Sequence, residues 1–280
     1  MNVMSLDVGC DGKGRGAWRL YPIGDLHIDG RTTDQKRIRD YIEHIASDPC
    51  GIYVVVGDLI DGTTPSHRFF EPGTIRPEIV QEMGQYVHVM QEELVELFGP
   101  LAGKPGIFIQ GNHDIRRGIQ WSGIVPAVAS RIGARYGGDE CMVRIVAKDA
   151  TGTGKCAWTL HAHHGAGGGM FAGGKTNRFA NTVGQLVDCD IMVRGHVHDS
   201  DARITHSYDV SLRGRARMVV RPHAFMTAPS FSPDRTEGVD NYASRKGYGP
   251  QDQGIMFLHC HNPRVDSGID RKMYREEFRG

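Results

Sequence analysis

The sequence predicts an α+β fold, a mixed β-sheet architecture with helices packed on its outside. Three observations point there. Short, β-branched apolar runs alternate with two helically spaced apolar stripes in the first half of the chain. The second half reads mostly as strands. No linker, internal repeat or low-complexity tract divides the 280 residues, so a single domain spanning 1–280 is expected.

Taken in order, the chain opens on a glycine-rich stretch, expected to be short and flexible over about residues 1–16 and without a continuous apolar segment of the secretory kind. Strands are expected at 18–23 (WRLYPI), 52–56 (IYVVV), 106–110 (GIFIQ), 141–147 (CMVRIVA), 157–163 (AWTLHAH), 190–195 (DIMVRG), 217–226 (RMVVRPHAFM) and 254–260 (GIMFLHC). Ile38, Tyr41, Ile42 and Ile45 repeat at helical spacing behind the start signal Thr32-Thr33-Asp34. A longer stripe, Ile79, Met83, Val87, Met90, Leu94 and Leu97, stops at Gly99-Pro100. Both stripes are read as core-facing. Two segments, 62–77 and 228–253, are long for structureless connections, a length at which function and surface excursion are equally good explanations.

Composition removes several classes. The 33 basic and 33 acidic side chains cancel, so no global field draws the chain to nucleic acid or an anionic membrane. The six cysteines are scattered without a CxxC pair, which suits free thiols in a reducing compartment and a cytoplasmic setting. The longest apolar run is far short of the ~20 residues that cross a bilayer. The glycines at 167–169 and 173–174 lack the GxxxxGK[ST] order of a P-loop.

Four of the expected strands end in the same way: a glycine, then Asp, Asn or His. They deliver Asp25 and His27 (GDLHID), Asp58 and Asp61 (GDLIDG), Asn112 and His113 (GNHD), and His196 and His198 (GHVHD). The carboxyl ends of strands are where α/β proteins assemble sites, and on an extended backbone residues two apart share a face. Each stretch alone is a weak signal; four in one chain suggest a two-metal centre. Its mixture of imidazole, carboxylate and amide donors suits Mn²⁺, Fe²⁺, Zn²⁺ or Ni²⁺ better than Ca²⁺ or Mg²⁺. A fifth stretch, LHAHHGAGGG at 160–169, adds His161, His163 and His164. Strand alternation puts His164 on one face with Leu160 and Ala162, and His161 and His163 on the other.

The order D-x-H, G-D, G-N-H-D, histidine before glycine, G-H-x-H resembles the calcineurin-like metallophosphoesterase superfamily, over about 60% of the chain from Asp25 to His198. The glycine-rich and APSF…NYASRKGYGPQDQG segments resemble, more loosely, a phage-type branch of it. The resemblance implies a four-layer α/β/β/α sandwich of two mixed β-sheets flanked by helices, with a dinuclear site at strand ends. It implies one metal held by Asp25, His27, Asp58 and His198, and a second held by Asp58, Asn112, His164 and His196. His164 is chosen because the superfamily's ligand directly precedes a glycine; an irregular strand end would bring in His163 instead. Two divalent transition-metal ions, foremost Mn²⁺, with Fe, Zn or Ni as substitutes, are the cofactors implied.

The activity implied is hydrolysis of phosphomonoesters or phosphodiesters by a metal-bridging hydroxide. His113 is the candidate acid for the leaving group, and the superfamily pairs it with the acid three residues beyond the bridging aspartate, here Asp61. Loops 62–77 and 228–253 are then expected on the substrate side. Gly62 stands where the superfamily's phosphoprotein phosphatases carry arginine, which argues against that specificity; Arg116 and Arg117 are candidates for a replacement clamp. The expected substrate is a small or nucleotide-like phosphoester, with no membrane partner. A DNA or RNA nuclease, tracked by Arg203, Arg221 and LRGRAR, is the second reading, although arginines on an edge strand also guard against aggregation. A metal-binding module without catalysis is the third.

Overall fold

A computed structural model describes residues 1–8, 17–68, 70–116, 119, 122–148, 155–165, 187–198, 200–210, 215–232, 254–261, 264–265, 268–269 and 272–278. The elements are β1 (Asn2–Val8), β2 (Ala17–Ile23), α1 (Gln35–Ser47), β3 (Gly51–Val55), α2 (Pro77–Gln81), α3 (Tyr86–Phe98), β4 (Gly106–Phe108), α4 (Ile124–Ile132), β5 (Arg135–Tyr136), β6 (Glu140–Lys148), β7 (Lys155–His163), β8 (Ile191–Arg194), β9 (Asp201–Val210), β10 (Met218–Thr227), β11 (Ile255–His261), the two-residue pair β12 (Arg264–Val265) and β13 (Gly268–Ile269), and β14 (Lys272–Phe278).

The chain builds the expected α+β arrangement, two mixed sheets flanked by helices. The first sheet runs β14-β11-β2-β3-β4-β5 and the second β1-β6-β7-β8-β10-β9. In the first, β2 to β5 are parallel; in the second, β8 is parallel to both β7 and β10. β3 explains the layering. Its apolar run is continuous because both faces are covered. Ile52, Val54 and Val56 face the second sheet with Trp158, Leu160 and Val193, whereas Tyr53 and Val55 face α1, α3 and α4.

Asp34 caps α1 by accepting from the Arg37 amide at 3.0 Å, and Ile38, Tyr41, Ile42 and Ile45 are its buried face. The second stripe is interrupted. α2 ends at Gln81, a turn of 3₁₀ helix carries Met83–Gln85, and α3 begins at Tyr86. Gly84 lowers helical propensity where the stripe bends. Apart from β1, the elements not expected are β5, β12, β13, β14, α4, which carries Pro126 in its first turn where no amide is needed, and β9, whose Thr-, His- and Ser-rich sequence lacks an apolar run. Asn2–Val8, expected within a flexible start, pair in parallel with β6, while 9–16 lie outside the described residues. So do 233–253 of the second long loop. In the first, Ile75 bridges to Gly30. No helix among the described residues is long and apolar enough to cross a membrane.

One buried group locks β2 against the turn that leads into β3. The Asp48 carboxylate accepts from both arms of the Arg19 guanidinium, from the Tyr21 hydroxyl at 2.9 Å and from the Cys50 amide at 3.0 Å. Burial by itself pushes this carboxyl up; the Arg19, Cys50 and Tyr21 donors outweigh it and hold it below the ordinary carboxylate range. A depressed pKa stabilises above the unfolded value of ~3.9 and the benefit is lost as pH falls towards the folded value. Asp48→Asn is therefore expected to cost about 1–3 kcal/mol at neutral pH. The deficit should shrink below about pH 4, where the wild-type carboxylate is itself being protonated. Urea unfolding across that range checks both.

Candidate metal centre

The five strands that run towards one edge of the sandwich release their chains into a common space. Past β2 and β3 the parallel ladder continues through loop backbone: the Asp25 amide donates to Gly57 C=O at 3.0 Å, His27 to Asp58 C=O at 3.1 Å, and Ile28 to Leu59 C=O at 3.0 Å. The sheets are then stitched to each other. The His196 amide donates to both Asp25 carboxylate oxygens at 3.0 and 2.9 Å, and His164 Nδ1 donates to Val56 C=O at 2.6 Å.

Three groups of donor atoms result: Asp25, His27 and His198; His27, Asp58 and His113; and Asp58, His164 and His196, the atoms of each lying within 4.8 Å of one another. Asn112 joins the last group, its Oδ1 3.0 Å from His164 Nε2 and 2.9 Å from His196 Nδ1. Asp58 Oδ2 is 3.2 Å from His164 Nε2, and His198 Nε2 is 3.5 Å from Asp25 Oδ1. All seven residues expected as ligands thus converge, with Asp58 common to two groups. His164, and not His163, reaches Asp58. His163 turns its Nδ1 to the Gly165 amide at 2.7 Å, and His161 is buried with Nε2 3.4 Å from Glu140.

The reason given for the pairing of Asp25 with His27 and of His196 with His198 needs correcting. The backbone there is not extended. Asp25, His27, Asp58, His196 and His198 have φ of 48°, 44°, 52°, 70° and 54°, and they are the non-glycine residues in the left-handed region among those described. Asp and His are among the side chains that tolerate it, and backbone strain of this sort collects at functional sites.

The donor chemistry fits divalent cations. His27 Nε2 is buried with no hydrogen-bond partner among the described residues, an orphaned polar atom that a cation would satisfy. Burial keeps His27 and His198 neutral, with pKa values lowered to about 4 and about 3, and lowers that of His196 as well. Neutral imidazole is the ligating form. Val56 C=O holds His164 Nδ1, which turns Nε2 to Asp58 and Asn112; burial lowers this ring's pKa, but the bond to Asp58 outweighs it and raises it to about 9, so a cation there would displace a proton. Burial raises Asp25 to about 7, whereas for Asp58 the effect of burial is outweighed by His164, His113 and His27, and it stays ionised.

His113 stands beside this cluster, its Nε2 3.9 Å from Asp58 Oδ2. Its Nδ1 meets Asp61 Oδ1 at 2.8 Å, the pairing expected from the sequence. Burial lowers the affinity of this ring for a proton, but the Asp61 bond and the Asp58 charge raise it further, for a net upward shift. Arg116 closes the group, with Nη1 3.2 Å from Asp61 Oδ1 and Nη2 2.8 Å from His113 Nε2. Arg117 and glycines 167–169 and 173–174 lie outside the described residues. Arg203 and Arg221 pair with Asp201 and Asp209 at 2.9 and 2.7 Å. Arg215 and Arg217 precede the first residue of β10, whereas the cluster lies past the last residue of its parallel neighbour β8, about 30 Å away at ~3.3 Å per residue.

Three supporting residues escaped the sequence reading. Asp114 accepts from the amides of Asp58, Leu59 and Gly111 at 2.8, 2.9 and 2.8 Å, pinning the two central loops to each other. Asp29 accepts from the Asp61 amide at 2.6 Å and from the Tyr86 hydroxyl at 2.7 Å, and Tyr86 in turn accepts from the Gly62 amide. The signal for Asp114 was its place in GNHD; Tyr86 carried none. Removing the Asp114 acceptor strands three buried amides at about 1–3 kcal/mol each. Asp114→Ala is expected to lower the melting temperature of metal-free protein by roughly 5 °C or more, read by calorimetry.

Comparison with known proteins follows the same lines. The calcineurin-like phosphoesterase family profile matches residues 19–200. Among solved structures, the chain aligns with a predicted phosphoesterase from Streptococcus pneumoniae TIGR4, at 12% identity over 94% of this chain and 97% of that one, TM-score 0.31. It also aligns with the nuclease MPE of Pseudomonas putida, at 12% identity over 76% and 73%, TM-score 0.32. No curated protein matches. With the profile covering well over half its length and every strand-end motif in order, the chain belongs to the calcineurin-like phosphoesterase family, hydrolases that act on phosphoester bonds.

Proposed function

We propose that this single-domain chain hydrolyses phosphomonoesters or phosphodiesters at a dinuclear centre. One divalent ion would be held by Asp25, His27, Asp58 and His198, the other by Asp58, Asn112, His164 and His196, with Mn²⁺ foremost and Fe, Zn or Ni as substitutes. The observation that carries the reading is the His113–Asp61 pair, at 2.8 Å, set directly beside the carboxylate common to two donor groups. A pair of divalent ions at such a site lowers the pKa of a shared water towards ~7 and supplies hydroxide at neutral pH.

The chain's own residues do the rest. Asp61 accepts from His113 Nδ1 and so turns Nε2 towards the cluster, where it meets the leaving oxygen and gives it a proton. Tyr86 and Asp29 hold the Asp61–Gly62 turn in place for that transfer. Asp25 and Asp58 balance part of the cationic charge, leaving an anionic ester attracted to the site. Arg203 and Arg221 are each paired with an acid of the same hairpin, which lends no support to nucleic-acid tracking along it. Four buried free thiols, at Cys50, Cys141, Cys189 and Cys260, support a reducing, cytoplasmic setting.

His113→Ala is expected to keep bound metal and to lose about 10²–10⁴-fold in kcat on esters with poor leaving groups. It should lose far less on a 4-nitrophenyl ester, whose leaving group departs unprotonated. An equal loss on both would remove the acid role. Asp58→Asn, which tolerates the left-handed backbone, should fold but lose most bound metal by elemental analysis. His164→Ala should lose one ion and His163→Ala none.

A further inference from the structure

We propose that Arg116 reads a negative charge on the leaving-group side of the substrate. The esters cleaved best would then be those whose leaving alcohol carries a further anionic group beside the scissile bond. The inference rests on the reading of His113 as the donor to the leaving oxygen. Because His113 Nδ1 is taken by Asp61, Nε2 is the ring atom left for that oxygen. Arg116 Nη2 lies 2.8 Å from it, in the place the leaving oxygen must occupy. A guanidinium only donates, so while it sits on the Nε2 lone pair that nitrogen cannot carry the acid proton, and Arg116 must withdraw when an ester is bound.

It does not withdraw far. Arg116 is tethered to Asp61 through Nη1 at 3.2 Å, and its side chain is only 20% exposed, packed against the acid pair. A planar fork of donors displaced from Nε2 needs oxygen acceptors, and an anionic group adjoining the leaving oxygen supplies them within reach. Gly62 on the opposite loop cannot itself carry a side chain here, since a Cβ would sit 2.4 Å from His113 C=O. With zero formal charge on the whole chain, this is a local preference and not a global one.

The test compares two methyl aryl phosphodiesters with the Mn²⁺-loaded enzyme. Both carry a phosphonate beside the ester oxygen, ionised in one and masked as its dimethyl ester in the other. The ratio of kcat/KM, charged over masked, should fall about tenfold in Arg116→Ala, the worth of one or two charge-assisted hydrogen bonds. Arg116→Lys, a point charge without the fork, should fall between. A ratio that falls less than threefold overturns the proposal. A second arm needs no turnover: the ionised phosphonate phenol is titrated into metal-free protein by calorimetry. It should bind wild type about tenfold more tightly than Arg116→Ala, and equal binding overturns the proposal. Failure of the wild type to hydrolyse either ester would instead remove the phosphoesterase mechanism on which the inference rests.

Discussion

Two loop backbones lie closer together at the heart of this protein than any side chain would permit. A Cβ on Gly57 would fall 2.2 Å from the Gly111 amide nitrogen, and one on Gly111 would fall 2.2 Å from Asp58 Oδ1. Because only glycine fits either position, the loops after β3 and β4 touch directly. From that contact follow the Asp114 carboxylate that accepts amides from both loops and the His113 amide that donates to Asp58 Oδ1 at 2.8 Å. The acid pair and the shared carboxylate therefore belong to one rigid unit. Were the loops a few ångströms further apart, Asp61 and His113 could not meet.

Electrostatics then sorts the buried carboxyls by task. Asp114 and Asp29 are as deeply buried as Asp25, yet their oxygens are occupied by amides and a tyrosine hydroxyl, so neither is offered to a cation. Asp58 is surrounded by imidazoles, which hold it strongly ionised. Asp25, raised by burial with Asp58 adding to the effect, regains its charge cheaply only beside a cation. Two divalent ions, if held there, would leave about +2 after two carboxylates, the sign an anionic ester needs.

Much of this was legible in the chain. Eight apolar runs became eight strands, because a strand buried on one or both faces has no freedom to be anything but apolar and β-branched. The candidate ligands were readable because glycine-then-donor recurs at strand ends, and His164 because it directly precedes a glycine, where the resemblance places a ligand. What stayed hidden depends on partners distant in sequence. β9 is an exposed edge strand whose polar face writes no alternation, and α2 and α3 share one apolar stripe that the chain bends in two. Asp29 and Tyr86 are 57 residues apart, and nothing in either segment announces the other. Arg116 was visible as a cation near the site, but its contact with His113 Nε2 is a fact of three dimensions.

The left-handed residues carry the last step. A D-x-H and an H-x-H, one on each sheet, use the same device: a left-handed residue, an ordinary one, a left-handed one. Each such residue costs roughly 1–2 kcal/mol for an L side chain, less for Asp. That cost is tolerable only where other bonds already fix the backbone, and here they do. The amides of Asp25 and His27 are held by Gly57 and Asp58, and the amide of His196 by the Asp25 carboxylate itself. The two strained turns thus hold each other across the gap between the sheets. Donor atoms positioned by backbone bonds need little rearrangement to meet a cation, so more of the binding free energy remains as affinity. Those backbone bonds are in place before any ion arrives.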